Sequence, residues 1–208
     1  MSRLPVAASG LLFVGAIAVT TVLVTSAQQH VSDAIKFTET GELMKPVDFR
    51  EWVFLSSGLG MTYTPPDASG AAANRAPSFT NVYVNPSSYR RFVQTGTWPD
   101  QSIFVLEIRA SASEGSINLG GRYQTELRAV EAEVKDSTRF ADKWAYFNFG
   151  ATADRAAPLP KTASCYACHG TKAAVEQTFV QFYPTLMEVA RQKGTVNPGY
   201  AATEGAHP

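Results

Sequence analysis

Cys165 and Cys168 are the only cysteines in the chain, and both fall in one run, Cys165-Tyr166-Ala167-Cys168-His169. Few patterns limit a chain's chemistry so tightly. Two thiols three residues apart reach the two vinyl groups of one haem and form thioethers, and the adjacent histidine then falls under the iron. The run therefore predicts a single, covalently bound haem c, held by Cys165 and Cys168, with His169 as the axial metal ligand. Two other chemistries use paired cysteines. A thioredoxin-like dithiol needs a βαβ context that the sequence does not show. A structural zinc site needs four ligands, and no further cysteine exists to supply them.

The N-terminus supports this reading. Met1-Ser2-Arg3 is a short basic start, Leu4 to Val24 carries no charge, and Thr25-Ser26-Ala27 offers small residues ahead of Gln28. That order describes a secretory signal peptide over residues 1–27, with an uncleaved anchor as the alternative. Either way the body of the protein is expected outside the cytoplasm, in the periplasm, where haem c is attached. Lys+Arg and Asp+Glu balance at 18 each. A chain without net charge or a basic run has no electrostatic footprint for nucleic acid.

The remainder reads as one α+β domain over residues 28–194, an antiparallel β-sheet with flanking helices and the haem motif near a C-terminal helix. Gln28 to Lys45 forms a short helix or an arm, with Phe37, Leu43 and Met44 as docking points. Trp52 to Leu55 is a helical turn running into a strand. Strands are predicted at Phe79 to Val84, Ser102 to Arg109 and Trp144 to Phe149 from their aromatic and β-branched content. Pro86 opens a helix that ends at Gly96. Gly120 to Val134, with Tyr123, Leu127, Val130 and Val134, fits a helix or a long strand, and its first half reads better as strand. Ala68 to Pro77 reads as a surface loop. Phe179, Phe182, Tyr183, Leu186 and Ala190 recur at helical spacing, ended by Gly194. Residues 195–208 are expected to be a disordered tail.

The sixth position of the iron decides what a haem protein does. His30 and His207 lie outside the folded body, Met44 is near the N-terminus, and Met187 is too close to His169 in sequence. Met61 is the one candidate ligand, and a methionine is more often core packing. The expected state is a five-coordinate iron with an open face.

Several runs, in order, resemble the cytochrome P-460 family, which includes the cytochromes called c′-beta. They are Phe49-Arg50-Glu51-Trp52-Val53, Asn81 to Pro86, Thr95-Gly96-Thr97, Val134 to Phe140, Trp144-Ala145-Tyr146-Phe147, the Cys165 to His169 motif and Phe179 to Leu186. The resemblance implies a β-sheet domain, often a homodimer, with a five-coordinate haem c. True P-460 members carry a lysine crosslinked to the haem and oxidise hydroxylamine. That lysine is expected on the strand Ser102 to Arg109, where this chain has Leu106 instead. Alternation places Phe104, Leu106 and Ile108 on one face, and Ile103, Val105, Glu107 and Arg109 on the other. Phe104 and Leu106 are thus the expected cofactor-binding residues of an apolar distal pocket, with Phe79 and Phe54 as further candidate caps. Arg50, Arg109 and Arg122 are candidates for a charge near the haem, and Glu107 and Glu126 for proton carriers if they reach the distal face.

Such a pocket predicts a gas-binding cytochrome that takes nitric oxide or carbon monoxide, in scavenging or redox handling of nitrogen oxides, with a redox partner the sequence does not identify. The alternatives are a hydroxylamine-oxidising P-460-type oxidoreductase and an electron-transfer cytochrome with Met61 on the iron.

Overall fold

The runs read as strands from their branched and aromatic residues are strands, and they assemble into one meander. In the computed structural model, which describes residues 33–62 and 76–204, strand β1 (Leu43–Met44) pairs with a distant two-residue strand, β7 (Arg155–Ala156). A 3₁₀ turn at Phe49–Glu51 leads into β2 (Val53–Leu59), followed by β3 (Phe79–Val84), helix α1 (Pro86–Thr95), β4 (Ser102–Ala112), β5 (Tyr123–Lys135) and β6 (Trp144–Gly150). Strands β2 to β6 form a five-stranded antiparallel sheet in sequence order. Helix α2 (Ser164–Lys172) carries the cysteine motif, and α3 (Pro184–Lys193) and α4 (Pro198–Glu204) follow. The α+β expectation is met. The predicted signal peptide and most of the Ala68 to Pro77 loop lie outside the described residues.

Alternation along the strands sorts side chains onto two faces. One face buries Ile103, Val105, Val130, Ala132, Val134, Ala145, Phe147 and Phe149 with Leu43, Phe49 and Trp52. Phe37 packs against this cluster, so the N-terminal segment is an arm rather than a helix, whereas Met44 is half exposed and lies outside the cluster. The other face buries Val84, Phe104 and Trp144 against Phe92 of α1, Trp98, and Leu186, Met187 and Ala190 of α3. Val175, Val180 and Tyr183 complete that second core.

The segment left open between helix and strand is a strand along its whole length. Its apparent helical spacing has a local cause. Ile108 pairs with Ala129 but Arg109 pairs with Leu127, so β5 carries an extra residue there. The bulge turns Leu127 onto the same face as Val130 and Val134, and three-residue spacing results.

The long C-terminal helix inferred from Phe179 onward is corrected. Val180–Phe182 is a 3₁₀ turn, and the helix starts only at Pro184. Proline has no N–H to donate and suits the first helical position, so it divides the pattern. The expected disordered tail contains α4, and Asn197 just before it bonds the backbone of Ala173, Ala174 and Glu176.

Gly96 closes α1 in the left-handed conformation, φ 74°, with its N–H on the Phe92 carbonyl. A Cβ there would lie 2.7 Å from both Lys193 Cβ and Thr195 Oγ1. Gly96→Ala is therefore expected to cost about 2 kcal/mol, from the left-handed backbone penalty and the displaced α3 terminus. Urea unfolding would show a lower midpoint at unchanged slope.

Candidate functional site

Two rows of residues running across the sheet make the wall of one cavity. Register pairs Val84 with Phe104, Phe104 with Glu133 and Glu133 with Tyr146. The adjacent row pairs Ser56 with Val82, Val82 with Leu106 and Leu106 with Glu131. Residues of both rows line one partly open cavity. Opposite them stand Cys165 and His169 of α2, with Phe179, Phe182 and Tyr183 from the segment after it. Phe104 and Leu106 thus lie where alternation put them, in the cavity wall. Cys168 sits half buried on α2, outside the set of lining residues.

His169 is tightly framed. Its ring packs between Tyr146 and Phe179, at centroid distances of 4.6 and 4.3 Å. Its Nδ1 is 2.7 Å from the Gln177 carbonyl oxygen. A carbonyl only accepts, so Nδ1 carries the proton and the lone pair of Nε2 is left for a metal. Gln177 is itself held from both ends of its residue. Its side-chain oxygen accepts from the Tyr146 hydroxyl at 2.8 Å. Next to it, Glu176 is paired with Lys135 Nζ at 2.6 Å, and Trp98 Nε1 donates to Thr178 Oγ1 at 2.8 Å. Burial, reinforced by Glu133, pushes the Tyr146 phenol far above its ordinary value, which keeps it a donor.

Two acids face this cavity from β5. Burial raises the Glu131 carboxyl, although His169 opposes the shift, and its Oε1 accepts from Asn148 at 3.1 Å. Glu133 Oε2 lies 3.0 Å from His169 Nδ1. The one proton on that nitrogen already goes to Gln177, so this buried oxygen has no hydrogen-bond partner. Burial lowers the proton affinity of His169, but Glu133, the Gln177 carbonyl and Glu131 together raise it above the ordinary imidazole value. Burial and Glu131 likewise raise the Cys165 thiol. A reactive dithiol needs the opposite shift.

The donor set fits a c-type haem. A histidine with its Nδ1–H on a carbonyl, a thiol one helical turn away and a largely apolar wall facing them would hold the iron, one thioether and the macrocycle face respectively. Cys168 would supply the second thioether. Every lysine of the chain lies within the described residues, and none lines the cavity.

Other candidates lie elsewhere. Glu107 is on the opposite sheet face, where Oε1 takes Arg50 Nε at 2.9 Å and Arg109 Nη2 at 3.0 Å, and Oε2 takes Asn81 at 3.1 Å. Glu126 is exposed, and Arg122 donates to Ser111 Oγ at 2.8 Å. None of the three arginines lines the cavity, nor do Phe54 and Phe79. Phe54 is half exposed and packs edge-on against Tyr83. Met61 does line the cavity. Its thioether lies over Gly58, where a Cβ would come within 2.8 Å of Met61 Cγ and closer still to Sδ. Thr80 Oγ1 is 4.0 Å from the sulfur.

Glu131, Glu133, Tyr146 and Gln177 were not found by reading the sequence. For the acids the signal was there: once β5 is a strand, alternation sets Glu131 and Glu133 opposite Val130, Ala132 and Val134. Gln177 acts through a backbone carbonyl, which its residue type does not reveal. A family model described as Cytochrome P460 matches residues 46–180. No curated protein matches the chain.

Proposed function

The chain belongs to the cytochrome P460 family of haem proteins, and from that premise we propose that it is an exported, periplasmic, monohaem c-type cytochrome whose five-coordinate iron binds small gases. The haem would be attached through Cys165 and Cys168 and ligated by His169. When bound, it supplies an iron that takes a diatomic ligand on its open face and exchanges one electron. The observation that carries the reading is the wall facing His169. Phe104, Leu106 and Val82 are apolar, and among the described residues no lysine or arginine lines the cavity.

The residues divide the work. Gln177 fixes the ring tautomer and Tyr146 and Phe179 fix its plane. Phe104 and Leu106 offer no hydrogen bond to a bound ligand, which favours nitric oxide and carbon monoxide over dioxygen. Nitric oxide scavenging or redox handling of nitrogen oxides suits such a pocket, with the protein acting as a homodimer and passing electrons to a separate redox partner.

Met61 motivates the second reading, an electron-transfer cytochrome, because its sulfur is within the lining of the same cavity. Its packing over Gly58 and Thr80 favours a structural role. The deciding measurement is the absorption spectrum of the ferrous protein before and after carbon monoxide. A high-spin haem c spectrum that shifts with carbon monoxide is expected. A low-spin spectrum that ignores the gas would assign Met61 to the iron. A ferrous Soret band displaced far to the red would reveal a crosslinked haem and a hydroxylamine-oxidising enzyme.

A further inference from the structure

A buried carboxylate oxygen without a hydrogen-bond partner needs a reason. Desolvating such a group costs several kcal/mol, and buried charges in proteins are paired with an opposite charge or serve a metal. Glu133 is 8% exposed, and its Oε2 makes no hydrogen bond. Among the described residues, no lysine or arginine shares the cavity with it. The lysine two residues along the strand, Lys135, is committed to Glu176 and to the Trp98 carbonyl. The group nearest Glu133 Oε2 that can offset a negative charge is the His169 ring, 3.0 Å away.

The register explains how the acid is held there. Glu133 pairs with Phe104 on one side and Tyr146 on the other. Tyr146 packs on the His169 ring and bonds the Gln177 side chain, so strand and ligand are braced against the same residue.

We propose that Glu133 is a positioning residue for the haem's axial ligand: its carboxylate stands behind Nδ1 of His169, makes the imidazole a stronger donor to the iron than the Gln177 carbonyl alone would, and biases the centre toward the ferric state. An anionic neighbour draws on the Nδ1 proton and raises electron density at Nε2, and outer-shell partners of this kind tune ligand basicity and potential. The inference rests on the reading that His169 ligates a haem iron. It adds which residue sets the strength of that bond.

The test uses the full-length haem-loaded protein, Glu133→Gln and Glu133→Asp. Spectroelectrochemical titration gives the midpoint potential, and resonance Raman of the ferrous state gives the iron–histidine stretch. Glu133→Gln is expected to shift the one-electron equilibrium about tenfold toward ferrous, roughly 59 mV, and to lower the stretching frequency. Glu133→Asp keeps the charge but draws it back by one methylene, and gives intermediate values. A change confined to stability, with potential and stretch unmoved in both variants, overturns the proposal. Should Glu133→Gln not take up haem, Glu133→Asp decides: a lowered stretch supports the proposal and an unchanged one overturns it. A wild-type ferrous protein with no iron–histidine band fails the five-coordinate reading on which this inference rests, whereas a wild-type band that Glu133→Gln leaves in place fails this inference alone.

Discussion

Trp98→Ala should lower the free energy of unfolding by about 4 kcal/mol, within the range for removing a buried aromatic side chain. Trp98 is fully buried, stacked on Phe92 at 4.0 Å and edge-on to Phe104 at 4.6 Å. It also donates to Thr178, one residue after the carbonyl that receives His169. The substitution therefore opens a void behind the cavity wall and frees the segment that fixes the ligand ring. Domain stabilities are typically only about 5–15 kcal/mol, so the variant sits near its folding threshold. Urea unfolding of both proteins measures the loss. Trp98→Phe, which keeps most of the ring and loses the indole donor, should cost about 2 kcal/mol. A loss below 1 kcal/mol for Trp98→Ala would mean that this core repacks freely.

The second large effect concerns Glu107, on the far face of the same strand. Burial pushes its carboxyl up, but hydrogen bonds from Arg109, Arg50 and Asn81 outweigh it and hold the group below its ordinary value. Glu107→Gln leaves two guanidinium groups facing an amide and should cost about 3 kcal/mol at neutral pH, the low end for breaking a buried pair because Arg50 is half exposed. A depressed folded value means that the unfolded chain takes up the proton first on acidification. The stabilisation is complete above the ordinary glutamate value, about 4.3, and is lost as pH falls through the folded value below it. Unfolding curves from pH 7 to pH 3 should therefore show the gap between the two proteins closing on the acid side. Asp136, also depressed despite burial through bonds from Thr138 and Gln101, is common to both proteins and cancels in the difference. A gap that stays constant with pH would rule out the ion pair as its source.

Much of the fold could be read from residue order because aromatic and β-branched residues concentrated between turn residues mark strands. Phe79 to Val84, Ser102 to Arg109 and Trp144 to Phe149 are such runs, buried or half-buried along nearly their whole length. Where reading stalled, backbone irregularity was the cause. The bulge opposite Ile108 and Arg109 made β5 mimic a helix, and with its type unsettled the orientation of Glu131 and Glu133 was out of reach. Pro184 was the opposite case, a visible breaker inside a convincing periodic pattern. Of the site, Cys165, His169, Phe104 and Leu106 were legible because side-chain chemistry or alternation marks them. The partners of His169 come from β5, β6 and a loop, and only the sheet register brings them together.

That register has a consequence for how the family can vary. β4 lies in the middle of the sheet and presents Phe104 and Leu106 to the cavity and Val105 and Glu107 to the other side. Inserting or deleting a single residue in it would exchange the two sets, bringing Glu107 into the apolar wall and stranding Arg50 and Arg109. Descendants of this chain can therefore change β4 by substitution but not by length. The turn after it, where Ile117 and Leu119 are almost fully exposed, is free of that constraint. Length polymorphism should thus gather between residues 113 and 122, while β4 evolves at constant phase.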